Sequence, residues 1–182
     1  MLTRTFLCLA SALLLPAARA TAQSDEGVAD LQHSVEQLRG SIGHWNVITQ
    51  FLNPDGSTAK TVSGTYDFSW VVPDRVISGQ SDIPELKRRA AILFYVNEVK
   101  RQIEMVSVGA DGRLWVMTGA LGEEVRVTQE FKTASGGVGQ LRFTRYNVST
   151  DSFESKMEFT EDGGNTWLPG NHQVFRRAVA AP

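Results

Sequence analysis

The clearest pattern along the chain is an alternation of apolar and polar side chains. In residues 60–72 the aromatic and aliphatic positions fall mainly on one parity and the polar positions on the other. Residues 151–161 repeat the pattern, with Phe153, Met157 and Phe159 on the apolar side. Successive side chains of a strand point to opposite faces, so this period of two predicts strands with one buried face.

Clusters of Gly, Pro, Asn and Asp punctuate the alternation and predict turns. They delimit about ten strands, at residues 44–51, 60–72, 75–81, 89–97, 101–108, 113–118, 124–132, 138–148, 152–161 and 166–177. Short loops between consecutive strands require antiparallel neighbours. Because no helical pattern lies between the strands, βαβ crossovers and a parallel sheet are excluded.

These strands predict an all-β fold in which about ten strands form an antiparallel up-and-down barrel over residues 44–177. An open meander would leave two edges with unpaired backbone groups, and closure removes both edges. The alternative is an open β-sandwich of two sheets.

The segment before the strands has a helical period instead. Residues 25–41 predict one amphipathic helix whose apolar positions are separated by three or four residues. Those positions are Val28, Leu31, Val35, Leu38 and Ile42. Ser24 is a suitable N-cap, and Gly40 suits the C-terminal end. Two heptads are too few for a coiled coil, so we expect the helix to pack on the barrel.

Residues 1–22 predict a secretory signal peptide. Arg4 precedes an apolar run at residues 6–15, and small-x-small cleavage sites follow at residues 18–22. The run is too short to span a bilayer. We therefore expect residues 23–182 to form the mature domain, secreted and with the periplasm as its expected compartment, without a membrane-spanning segment. That domain lacks Cys8, the chain's one cysteine, which excludes disulfides and thiolate chemistry.

The charge balance of the chain also bears on the class of molecule that it can bind. The 182 residues include 18 Lys and Arg against 20 Asp and Glu, for a net charge of -2. This balance argues against a nucleic-acid binder that neutralises phosphates over a broad surface.

The tripeptide Gly43–His44–Trp45 lies at the junction between the predicted helix and the first strand. It resembles the Gly-x-Trp signature of lipocalins and the wider calycin group. In that family the Trp closes one end of the barrel and packs on a basic residue of the last strands. The resemblance implies this role for Trp45, with Arg176 or its neighbour Arg177 as the cation–π partner.

Residues 109–115, 141–146 and 160–167 together resemble a bacterial domain family of unknown function with lipocalin-like architecture. The resemblance covers most of the mature chain and implies the barrel but no assigned chemistry. Residues 160–167 also resemble an Asp-box, the hairpin repeated in sialidases. The Asp-box pattern occurs once here, whereas a β-propeller needs one in each blade. We therefore expect this segment to stabilise a turn and not to form part of a propeller.

Candidate ligand-binding residues follow from the predicted faces. Tyr66, Phe68 and Trp70 share one face of a strand, and we expect them, with Trp115, to line the barrel interior. The alternative is that they are ordinary core residues.

The strand at residues 138–148 places Arg142 on one parity and Arg145 on the other, so one of them points inward. An inward Arg is costly unless a carboxylate or a ligand anion pairs with it. Fatty-acid-binding relatives of this architecture hold a carboxylate with an inward Arg and a Tyr, although their Arg-x-Tyr spacing is absent here. The alternative is that both arginines pair with Glu residues on the outer face.

Motifs for catalysis are missing: the sequence has no nucleophile elbow, HExxH, P-loop or EF-hand loop. We expect no metal and no cofactor, since the three histidines form no i,i+2 or i,i+4 pair. His44 and His172 approach each other only if the first and last strands pair.

The favoured function is binding of a small apolar or amphipathic molecule. One alternative is a barrel isomerase or hydrolase that joins Glu98 or Glu104 with His44 or Arg145 in one cavity; another is a structural or partner-binding envelope protein.

Overall fold

The computed structural model describes residues 18–178, with side chains from residue 25 onward. One helix, α1 (Ala18–Ser41), precedes all the strands. The strands are β1 (Gly43–Leu52), β2 (Thr58–Val72), β3 (Val76–Ile83), β4 (Arg88–Asn97), β5 (Gln102–Gly109), β6 (Leu114–Ala120), β7 (Val125–Thr128), β8 (Phe131–Lys132), β9 (Val138–Tyr146), β10 (Ser152–Thr160) and β11 (Leu168–Arg177). A single 3-10 turn, Pro84–Leu86, joins β3 to β4.

The strands close into an antiparallel barrel. Strands β1 to β7 pair in sequence order, β7 pairs with β9, and β9, β10 and β11 continue the order until β11 returns to β1. The predicted strand at 124–132 is divided into β7 and the two-residue β8, which pairs with β9 beside the main ladder. Ten strands therefore form the closed wall, which confirms the predicted all-β barrel and excludes the open sandwich.

Helix α1 begins at Ala18, seven residues before the predicted start, and ends at Ser41 as predicted. Residues 1–17 of the predicted leader lie outside the described residues. Within the described part of the chain, no helix has both the length and the apolar composition that a bilayer crossing requires.

The helix closes one end of the barrel, which we call the floor. Val35 and Leu38 of α1 are buried, and Leu38 has no exposed surface. They pack on buried side chains of the strand ends and of one turn, namely Ile77, Phe94, Val96, Ile103 and Leu121. Burying one such side chain contributes roughly 1.5–3 kcal/mol, so this contact is sufficient to seat the helix on the barrel.

The junction between α1 and β1 is fixed by Trp45, which is fully buried. Its Nε1 donates to the backbone oxygen of Ser41 at 2.8 Å, and the Arg177 guanidinium lies 4.3 Å from its ring centre. The same guanidinium donates from Nη1 to the oxygen of Ile42 at 2.6 Å. The basic partner of Trp45 is thus Arg177 and not Arg176, which is exposed because adjacent residues of β11 face opposite sides of the wall.

Gly43 is required at this junction for two reasons. Its φ is +116°, a conformation that residues with a Cβ rarely adopt. A Cβ there would lie 2.6 Å from Nη1 of Arg177, which its hydrogen bond and its stacking on Trp45 hold in place.

We predict that Gly43→Ala lowers the free energy of unfolding by about 1–3 kcal/mol, because the strained backbone and the displaced Arg177 add their costs. Gly56→Ala is the matched control: Gly56 also has a positive φ, +84°, but a Cβ added there would have no atom within 4 Å. Urea denaturation of both variants measures the difference. Equal losses would contradict the proposed contact between position 43 and Arg177.

Candidate functional site: a cavity above the floor

A cavity of about 350 Å³ lies inside the barrel, directly above the floor. Its walls are mainly apolar and include seven aromatic and three methionine side chains, namely Tyr66, Phe68, Phe94, Trp115, Phe143, Phe153, Phe175, Met105, Met117 and Met157. Side chains just fill barrels of about eight strands, so a ten-stranded wall leaves room that these side chains do not occupy.

Several of the residues that we expected to bind a ligand meet at this cavity. Tyr66, Phe68, Trp115 and Arg145 line it. Trp70 does not; it follows Phe68 on the same face of β2, closer to the floor, and packs on the cluster beneath α1.

Arg142, another residue that we expected to bind a ligand, also lies outside the cavity. Its Nε donates to Glu158 Oε2 at 3.0 Å, and its guanidinium lies 4.2 Å from the ring centre of Trp167. Arg142 and Arg145 are three residues apart on β9, so strand alternation sends one outward when the other points inward. The outward pairing with Glu that we considered for both arginines therefore applies to Arg142 alone.

One side of the cavity wall is held by contacts between aromatic rings. The rings of Phe153 and Phe175 are stacked with centres 4.2 Å apart. Trp45 meets Phe153 edge-on at 5.0 Å, and Tyr66 meets Phe175 edge-on at 5.2 Å. These geometries are favourable for aromatic pairs and connect the floor directly to the cavity wall.

A buried ion pair lies where the cavity meets the floor. Arg145 is 7% exposed and donates from Nε and Nη2 to the two carboxylate oxygens of Glu124, at 2.8 and 3.1 Å. Burial alone would raise the pKa of Glu124, but hydrogen bonds and charge from Arg145, with smaller contributions from Arg126 and His33, hold that pKa below its usual value. Arg145 is thus fully engaged with a carboxylate of the protein itself.

A second buried cation, Arg126, was not among the residues singled out from the sequence. It is 2% exposed, lines the cavity, and donates from Nη2 to the side-chain oxygen of Gln37 at 2.5 Å. Its Nε is buried and has no hydrogen-bond partner among the described residues. Burial and the neighbouring charge of Arg145 lower its pKa to about 9, with Glu124 opposing them, so this guanidinium stays protonated at neutral pH.

Arg126 was missed because its strand departs from the usual alternation. In β7 the apolar Val125 and Val127 are half-buried, whereas Arg126 and Thr128 are buried. The pattern of an apolar inner face and a polar outer face predicts the opposite orientation. The inward orientation of Arg126 follows from the register with β9, where Arg126 pairs with the inward-facing Phe143. Local sequence does not reveal that register.

The end of the barrel opposite the floor is the mouth, and it is rich in basic residues. A depression there shares Arg88 and Trp115 with the cavity and is also lined by Lys87, Arg113 and the acidic Asp111. Arg89, at the same rim, pairs with Asp82 at 2.6 Å. The mouth therefore has an excess of positive charge.

The residues named for acid–base chemistry do not meet in the cavity. Glu104 hydrogen bonds with Tyr95 on the outer face of the sheet, Glu98 pairs with Arg75, and His44 pairs with Asp67. Among the described residues, no carboxylate and no imidazole lines the cavity.

The histidines do not come together either. Strands β1 and β11 pair, but their register places His172 beside Gln50, and Glu154 accepts from its ring at 2.8 Å. Over residues 18–178 the structure contains no group of three His, Cys, Asp or Glu side chains arranged to hold a metal ion.

Comparison with known proteins adds structural likeness only. No protein-family model matches the chain, and no curated protein matches it. The barrel is similar to an S-type phycobiliprotein lyase from Guillardia theta, with a TM-score of 0.49 and 13% identity over 80% of this chain and 93% of that one. It is also similar to a protein of unknown function from the DUF3598 family of Nostoc punctiforme, with a TM-score of 0.46 and 11% identity over 78% of this chain and 49% of the other. Likenesses of this size assign no ligand and no chemistry to this chain.

We predict that Glu124→Gln lowers the free energy of unfolding at neutral pH by roughly 2–4 kcal/mol, because Arg145 is left buried without a carboxylate. The pKa of Glu124 is lowered by folding, so its ionised form stabilises the protein above the unfolded pKa of about 4.3, and this stabilisation is lost as the pH falls through the folded pKa. The difference between wild type and variant should therefore shrink as the pH is lowered.

Denaturation at a series of pH values tests this prediction. The control is Glu123→Gln, because Glu123 is exposed and is the adjacent residue. A difference that is the same in acid and at neutral pH, or an equal loss in both variants, would argue against the buried pair.

Proposed function

We propose that the barrel binds one small apolar or amphipathic molecule in the cavity above the floor. The observation that supports this is the cavity itself, about 350 Å³ in volume and mainly apolar. Protein interiors are normally packed so closely that few voids exceed a water molecule. Cavities of this size, lined by apolar side chains with a few polar groups, are typical of sites for small ligands.

The distribution of polar groups supports an amphipathic ligand in particular. The polar lining includes Arg126 and Arg145 towards the floor and Arg88 and Ser107 towards the mouth, with fewer polar groups, among them Gln173, on the wall between. The wall between them is formed largely by aromatic and methionine side chains, which adapt to the shape of an apolar body. A ligand that matches this arrangement has an apolar body and a polar end.

We also propose that the protein binds its ligand without catalysis and that it is exported. A catalytic role would need two convergent titratable groups, and the acid–base candidates Glu98, Glu104 and His44 all lie outside the cavity. Export rests on residues 1–22, and a protein mass that corresponds to a chain beginning at Gln23 is its expected signature.

We predict that the neutral fluorophore N-phenyl-1-naphthylamine binds saturably to the wild-type protein and that Ala90→Trp weakens this binding at least tenfold. Ala90 lines the cavity near the mouth, so an indole there fills space that a ligand needs. Fluorescence titration measures both affinities.

Ala91→Trp is the matched control. Ala91 is the next residue of β4, is exposed and lies on the outer face of the wall. We expect it to bind the fluorophore as the wild type does. Absence of saturable binding by the wild type, or equal binding by the two variants, would contradict the proposed function.

A further inference from the structure

We propose that the cavity takes an amphiphile with a carboxylate head group, and that Arg126 at the floor binds this head group while the apolar tail extends towards the mouth. The inference rests on the proposed function and goes beyond it in naming the ligand's charge, its anchor and its orientation.

The buried charges near the floor do not balance. Two guanidinium groups, those of Arg126 and Arg145, lie near the floor, and Glu124 is the one carboxylate that pairs with either of them in the described structure. Both oxygens of Glu124 accept from Arg145. One positive charge is left without a counter-ion in a low-dielectric interior, which is costly unless an anion joins it.

Arg126 also has unused hydrogen-bonding capacity. A guanidinium has five N–H donors. The side-chain oxygen of Gln37 accepts one of them, and Nε is buried without a partner in the described part of the chain. Arg–carboxylate pairs are frequently bidentate, so a ligand carboxylate matches the charge of this guanidinium and the remaining N–H donors of its terminal nitrogens.

The guanidinium of Arg126 lies beside aromatic rings of the cavity wall. Its central carbon lies 4.5 Å from the ring centre of Phe94 and 5.7 Å from that of Phe143, so two cavity-lining rings flank the charge. Gly119 leaves room for this side chain, because a Cβ there would lie 3.3 Å from Cγ of Arg126. Phe94 and Gln37 both belong to the floor region, which places the head group at the closed end and the tail towards Trp115.

Arg88 is the competing anchor, since it lines both the cavity and the basic mouth. It is exposed, however, and water already solvates its charge. An ion pair at an exposed site is worth little, whereas a buried guanidinium gains much more from an anion. Arg88 and its neighbours are better suited to attracting an anion towards the mouth than to holding it.

The test compares sodium decanoate with 1-decanol, which share a ten-carbon chain and differ in head-group charge. Each is titrated at neutral pH against the full-length protein loaded with N-phenyl-1-naphthylamine. We expect decanoate to displace the fluorophore at least ten times more effectively than decanol from the wild type. Arg126→Met should abolish this preference, whereas Arg142→Met, which removes a guanidinium from the outer face, should leave it unchanged.

The variant Arg88→Met separates the two orientations and should retain the preference for decanoate. Equal displacement by the two compounds in the wild type would overturn the inference, as would a preference that Arg88→Met removes. These two measurements decide the question even if Arg126→Met does not fold. Failure of the proposed function looks different: the fluorophore itself would not bind, whereas binding without a preference for decanoate defeats the inference alone.

Discussion

The pairing of β1 with β11 is the constraint on which the rest of the structure depends. It joins the first and last strands, removes both sheet edges and encloses the interior. The same pairing sets Trp45 opposite Arg177, so that one side chain from each end of the wall fixes the entry of α1. Without this closure the helix would have no ring of strand ends to cover, and the aromatic side chains would line an open sheet instead of a cavity.

The floor combines two kinds of packing with different consequences. Beneath α1 the contacts are apolar and complete, with Leu38, Ile77 and Ile103 fully buried. Beside them lie two guanidinium groups and one carboxylate, and the helix takes part through Gln37, which accepts from Arg126 and, through its backbone oxygen, from Arg145 at 3.4 Å. The apolar contacts stabilise the barrel through burial, whereas one of the two buried positive charges has no counter-ion within the described structure. That difference is the physical reason to regard the floor as a binding surface as well as a plug.

The sequence predicts the architecture well because barrel strands obey a strict period of two, and residues 60–72 display it clearly. The Gly-x-Trp resemblance also points to the correct closing residue, Trp45, although neighbouring arginines could not be separated without the exact register of β11. The interior was harder to predict. In β7 the valines face away from the cavity and Arg126 faces it, and local polarity cannot reveal such an inversion. Only the register that β9 imposes on this short strand brings Arg126 inside.

Occupation of the cavity above the floor by a small molecule is tested most directly by NMR of methionine methyl groups. Met105, Met117 and Met157 all line the cavity, and the only other methionine is Met1. With methyl-labelled protein and bound N-phenyl-1-naphthylamine, we expect nuclear Overhauser contacts from the ligand's aromatic protons to the three cavity methyl groups. Saturable binding without any such contact would place the ligand elsewhere and contradict the account.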